Sequence, residues 1–434
     1  MAVLRAREAI ILRSIRHESR IRQIGRRIHK RFRSWTQQRT RKYWMPQKVS
    51  LHAPVDIMDS WSISAVVQKA ATVRKHDSHM WYNFGNRVIE LAPTLCPQQI
   101  GYIYYGYGKS RFYNKHFYEK ISEYSAPLLS NFPSSSLMCV VWCLSRLQLR
   151  QTAFLNRLAS VVADKFDSLR TTDLMKICDG LARLDITTPY LKQQIADKMI
   201  GRLDSLYAQD FRNAMNDVTL FHMYDENTQI YIMERFPRIF ICARANTLRQ
   251  ALSCALVVRV MLQNVWLKLN QSTRNFYTRL STRTIQQSER SPSLFHWDVS
   301  STLAELGIQH RNTFYWGCYW IDIGEVRDRQ NCWFVDGPCC FYSGTTKYTN
   351  KVKLQHSVLK KLGWNIRRIP WFQWVDVMRD QQERKAFVKY IRERQPQKDL
   401  VDDEALSCVE LNEKLNTIKQ LHTKSKRTLT QLSN

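Results

Sequence analysis

Six apolar residues, Ile63, Ile100, Leu137, Leu174, Phe211 and Leu248, stand 37 positions apart in this chain. Three positions on from each come Val66, Ile103, Val140, Ile177, Ala214 and Ala251, and seven on come Ala70, Tyr107, Leu144, Leu181, Val218 and Ala255. These offsets share one face of an α-helix, because 3.6 residues complete a turn. A second helix is predicted in each unit. Offset 21 gives Phe84, Ile121, Leu158, Ile195, Ile232 and Leu269, and offset 25 gives Val88, Val162, Met199 and Phe236. Helix-start signals precede the first helices, in Cys96-Pro97-Gln98-Gln99, Pro133-Ser134-Ser135-Ser136 and Arg170-Thr171-Thr172-Asp173. One hairpin of helices cannot bury its apolar face alone. Stacked hairpins can, around a continuous core. The period therefore predicts a mostly α-helical solenoid of about six hairpins over residues 51–291. The last two units are less regular, as expected where an array meets another domain.

A solenoid offers a long surface to peptides or RNA, and some arrays read single-stranded RNA at about one base per repeat. Charge separates these partners. The chain carries a formal net charge of +29 with a pI near 9.8. Such a surface attracts polyanions through counterion release. The charge lies at the ends: residues 1–50 hold 15 Lys and Arg against Glu8 and Glu18, and residues 341–400 hold 14 against five acids. The longest apolar run, around Ala255–Leu262, is cut by Arg259, so no membrane span is expected. The eleven cysteines include no Cys-x-x-Cys and are read as reduced thiols, mostly buried. His310, Cys318, Cys332 and Cys339 match no common zinc-ligand spacing, and no metal or other cofactor is expected.

Residues 1–50 form a basic extension. Ile21, Ile24, Ile28, Phe32 and Trp35 recur at helical spacing, with Arg22, Arg26, Arg27, Lys30, Arg31 and Arg33 between them. A basic, acid-poor, amphipathic N-terminus suits mitochondrial targeting, although this one is poor in Ser. The other reading is an arm retained on structured RNA. Targeting, to the matrix, is the reading adopted.

Residues 292–395 change pattern. The aromatic run Phe314–Ile323 predicts a strand, and Cys332–Pro338 a second, joined by a short polar link over Gly324–Asn331. A helix is predicted from about Thr349 to Leu362, stopping at Gly363. A strand follows over Asn365–Ile369, then a last helix over roughly Phe372–Arg394. This is a small α/β unit. Residues 396–434 form a tail with one amphipathic stretch, Leu406 to Leu421.

The run Phe334-Val335-Asp336-Gly337-Pro338, followed by Gly344-Thr345-Thr346-Lys347, Lys353, Leu359, Leu362-Gly363-Trp364, Ile369-Pro370 and Trp374, resembles the RAP domain over about residues 298–395. Its position after a helical array is similar to that in organellar proteins related to Fas-activated serine/threonine kinase. The resemblance implies a fold related to restriction-endonuclease-like nucleases. It also implies organellar RNA binding, in RNA processing, stability or ribosome assembly. Glu305, Asp322 and Asp336 fit the nuclease-like acids, but Phe334 stands where the pattern expects Glu, and Cys340 replaces a usual His. A metal-dependent nuclease needs clustered carboxylates, so the expectation is a domain that does not catalyse. Asp336, beside Gly337, also suits a simple turn.

Candidate RNA contacts are then Lys347, Lys351, Lys353, Lys360, Lys361, Arg367 and Arg368 for phosphates. Trp364, Trp371, Phe372 and Trp374 interleave with them. Trp364 and Trp374 read as core, and Trp371 as the ring for base stacking. The expected partners are organellar rRNA or mRNA and, if the chain is a fixed ribosomal component, mitochondrial ribosomal proteins. Two rivals stay open: an endoribonuclease using the three acids, and a protein scaffold of the mitochondrial ribosome.

Overall fold

The computed structural model describes residues 50–394 apart from 52, 76, 209, 221–222, 241–242 and 282–290, together with 400 and 406–418. The basic helix expected over Ile21–Trp35 lies outside them, as does the tail beyond 418.

Six helical hairpins follow the period. Their first helices are α1 (Ser60–Thr72), α3 (Pro97–Ser110), α5 (Ser134–Arg146), α7 (Thr171–Arg183), α9 (Phe211–Leu220) and α11 (Ala245–Met261). Their second helices are α2 (Ser78–Glu90), α4 (Lys115–Ser125), α6 (Thr152–Asp164), α8 (Pro189–Leu203), α10 (Glu226–Ile239) and α12 (Gln263–Lys268). Each second helix begins 37 residues after the last, so the spacing is kept where the offsets grow irregular. In the sixth unit the second helix breaks after Lys268 and resumes as α13 (Gln271–Ser281).

The first helices pack on one another in order and form one layer, and the second helices form the other. The residues at offsets 0, 3 and 7 are all buried except Leu248, which is half-buried. Each large aliphatic side chain so buried contributes about 1.5–3 kcal/mol. Between first helices, glycines allow the closest approach. A Cβ on Gly106 would stand 2.4 Å from Val67 Cγ1, and one on Gly180 2.4 Å from Val141 Cγ1. Both pairs join the same two offsets in successive units.

Helix ends follow local chemistry. Asp59, Asp77, Asn114, Thr188 and Asp225 each accept a backbone N–H at the start of a helix. At α3, the Gln99 side chain accepts the Cys96 N–H at 2.8 Å. Ser134 instead donates to Asp173 of the next unit at 2.9 Å, so a start signal also ties two units together.

The C-terminal unit has a four-stranded sheet in the order β1 (His310–Trp316), β2 (Tyr319–Glu325), β3 (Asn331–Asp336), β4 (Asn365–Pro370). The first two pairings are antiparallel and the last parallel. The single strand expected over Phe314–Ile323 is a hairpin. Gly317, at φ +61°, turns the aromatic run back on itself. The single helix expected over Phe372–Arg394 is two, α16 (Trp371–Val377) and α17 (Gln381–Glu393), because Asp380 caps a new start. Within β1, Thr313 at φ +43° breaks the alternation. Asn312 and Ile323 face one side, while Phe314 and Ile321 face the other.

The sheet lies between two helical layers. On one side, α14 (Leu294–Glu305) and α17 pack Val299, Leu303 and Val388 on Ile323, Trp333 and Ile369. On the other, α15 (Asn350–Lys361) packs Leu359 on Ile321, Cys332 and Ile366. The opposite flank of α15 carries Leu354 and Val358, which join the core of the array. The helix rests on α7, α9 and α11, the first helices of units four to six. The junction is also polar. Asn350 donates to the Ala182 carbonyl at 3.0 Å, Tyr342 to that of Arg183 at 3.2 Å, and Gln148 to that of Cys339 at 2.9 Å. Residues 408–418 form a further helix whose Leu411 packs on Phe341, Trp371 and Phe372. No helix among the described residues is long and apolar enough to cross a membrane.

Candidate nucleic-acid interface

Strand geometry scatters the cations and acids that the sequence grouped together. Neighbouring residues on a strand face opposite sides, so Arg367 and Arg368 of β4 do not form one patch. Arg368 points toward α15 and is buried. Its Nη1 donates to Asp336 Oδ1 at 2.8 Å, with side chains 2% and 3% exposed. Its guanidinium lies over the Phe334 ring at 4.5 Å, and Tyr348 donates to Asp336 Oδ2 at 3.0 Å. Burial is the largest single influence on the Arg368 pKa and lowers it, but the charge and hydrogen bond of Asp336, with Tyr348 beside it, together outweigh burial and hold the guanidinium charged. Arg368 is therefore an internal strut in this structure rather than a surface phosphate ligand. Arg367 points the other way and is half-buried over Trp333, with Nη2 donating to the Arg392 carbonyl at 3.1 Å.

Trp371, the ring expected to stack on bases, is 5% exposed and packs against Phe372 and Leu411. Trp371 follows β4 directly as the first residue of α16, and its ring enters the core. Trp374 is buried as expected, and Trp364 is half-buried against Phe314 and Trp316. Of the lysines, Lys347, Lys351, Lys360 and Lys361 are exposed and Lys353 is half-buried.

The nuclease-like acids are divided too. Asp322 accepts the Val335 N–H at 3.0 Å, and burial pushes its carboxyl up. Asp336 is committed to Arg368 and Tyr348. Glu305 is apart from both, on the outer end of α14, paired with Lys385 at 3.2 Å and Gln381 at 2.9 Å. Phe334 fills the position of the missing Glu and is buried under Arg368. Among the described residues, no group of three or more His, Cys, Asp or Glu is placed to hold a metal ion. His310 is bonded to Ser300 and the Ile308 carbonyl, and Cys332 is in the sheet core.

A second constellation lies on the array and was not singled out from the sequence. Tyr105 and Trp142 occupy the same offset in units two and three, and their rings stack with centroids 5.4 Å apart. Four residues on, Lys109 lies over Tyr105 at 5.7 Å and Arg146 over Trp142 at 5.2 Å. In unit four the same offsets hold Asp179 and Arg183, paired at 3.0 Å. The signal was present as half-polar positions recurring at the period of the core.

A helical solenoid joined to a small mixed sheet between helices defines the class: a repeat array carrying an α/β module. Within that module lies a RAP domain, whose sequence pattern matches residues 333–391, from β3 into α17. The match is shorter than the expected 298–395, leaving α14 and the β1–β2 hairpin outside it. No curated protein matches the chain. A RAP domain points to RNA binding in a general sense.

Proposed function

We propose that this protein binds RNA in mitochondria, acting on organellar rRNA or mRNA in ribosome assembly or structure or in RNA processing, without catalysing. The observation that carries the RNA reading is the RAP domain at residues 333–391 on a chain of net charge +29. The organellar reading draws on the basic amphipathic segment over Ile21–Trp35 and on the likeness to proteins related to Fas-activated serine/threonine kinase. The non-catalytic reading is supported by the fate of the acids. A buried Arg368–Asp336 pair stands where a nuclease would present its metal-binding carboxylates.

The test is UV crosslinking of the tagged chain in intact cells, with sequencing of the bound RNA. Crosslinks at a few fixed positions in organellar rRNA identify a ribosomal component or assembly factor. Crosslinks at mRNA or precursor junctions identify a processing or stability factor. None above background refutes the RNA reading and leaves a protein scaffold. Mg²⁺-dependent cleavage by the purified chain, lost in Asp322→Ala, would overturn the non-catalytic reading.

A further inference from the structure

The first-helix layer of the array presents one face with two fates. In units four to six it is covered by α15 and the β1–β2 turn. At the offset of Tyr105 and Trp142, unit six has Ser253, and a Cβ on Gly317 of that turn would stand 3.5 Å from Leu256 Cδ2 on the same helix. Units two and three carry the ring pair instead, half-buried, with one ring per unit aligned along the array. Around the rings stand Lys109, Arg111 and Arg146. Neither Arg111 nor Arg146 is paired with a carboxylate among the described residues, and both are exposed. Partial burial of its stem against Trp142 and then the charge of neighbouring Arg111 depress the Arg146 pKa, so the two guanidinium groups stand close together. The RAP domain extends this face. A Cβ on its Gly344 would stand 3.1 Å from the Tyr113 hydroxyl, so the loop leading to exposed Lys347 sits beside the Arg111–Tyr113 turn.

We propose that this face of units two and three is a track for single-stranded RNA, with Lys109, Arg111 and Arg146 taking phosphates and the Tyr105–Trp142 ladder stacking with bases. The proposal rests on the RNA reading above and deepens it. Uncompensated cations select a polyanion, and stacked rings select bases with free faces, which a duplex keeps inside. An acidic peptide would use the cations and leave the rings idle.

The test is fluorescence anisotropy of the full chain with a short, labelled, unstructured oligoribonucleotide over a salt series. Trp142→Leu should weaken binding about ten-fold, and leave binding to a duplex of the same sequence unchanged. Arg111→Gln with Arg146→Gln, both at exposed positions, should reduce the salt slope by about 1.4. Wild-type binding that neither change alters overturns the track and leaves the RNA reading standing. Poly-glutamate that displaces the RNA equally from wild type and Trp142→Leu also overturns it, in favour of an acidic-peptide surface. No binding by the wild type refutes the RNA reading itself. If Trp142→Leu fails to fold, the arginine pair alone decides.

Discussion

Replacing Arg368 with Met would leave the Asp336 carboxylate buried without its counter-charge. An exposed pair would be worth about 0–1 kcal/mol. This one is 2.8 Å apart with both side chains almost wholly buried. Removing one member of such a pair costs about 3–5 kcal/mol, because a desolvated charge is left behind. The Tyr348 hydrogen bond to Asp336 remains, which places the loss toward the lower end. A domain is stable by about 5–15 kcal/mol, so the RAP domain would lose a large share of its margin. Arg368→Met combined with Asp336→Asn should recover most of the loss, since a carboxamide needs no counter-charge. The array and the α/β unit need not unfold together, so a single global curve is a poor readout. Hydrogen exchange at β3 and β4 amides in increasing urea isolates the local opening. RNA affinity should follow the folded fraction and nothing more. A variant stable to within about 1 kcal/mol of wild type, yet ten-fold weaker on RNA, would refute the strut and make Arg368 a phosphate contact.

Three further outcomes are expected. Gly180→Ala should destabilise the array by about 1–3 kcal/mol, read as a lower urea midpoint, because the new methyl meets Val141. Adding Val141→Ala should restore much of it. Asp217 is fully buried in α9, and burial first, then the nearby Asp179 charge, holds its pKa well above 3.8. The folded state keeps this proton to higher pH than the unfolded chain, so stability falls as pH rises through that interval. Asp217→Asn should therefore raise the melting temperature at neutral pH, with the gain shrinking toward pH 4; a pH-independent difference would refute the assignment. Trp371→Ala should cost about 3–5 kcal/mol of stability as a core truncation, while salt-dependent RNA binding by the folded fraction stays as in wild type.

The array was legible in the chain alone because its signal is local and repeated. Helical geometry maps offsets 0, 3 and 7 onto one face, and six copies average out the exceptions such as Leu248. The strands β3 and β4, the helix α15 and its stop at Gly363 (φ +87°) were readable because their signals, though not repeated, are local. Local errors had local causes, as at Gly317, where one glycine inside a β-rich run converts a strand into a hairpin. Periodicity shows which face of an element is apolar, but not which partner covers it. So only the tertiary structure decided that Leu354 and Val358 of α15 close onto the array while Leu359 closes onto the sheet. It alone turned Arg368 inward to Asp336, carried Trp371 into the core, and left Tyr105 and Trp142 stacked on the part of the face that the RAP domain does not cover. Charge and aromaticity are properties of a residue. Whether they meet solvent is a property of everything packed around it.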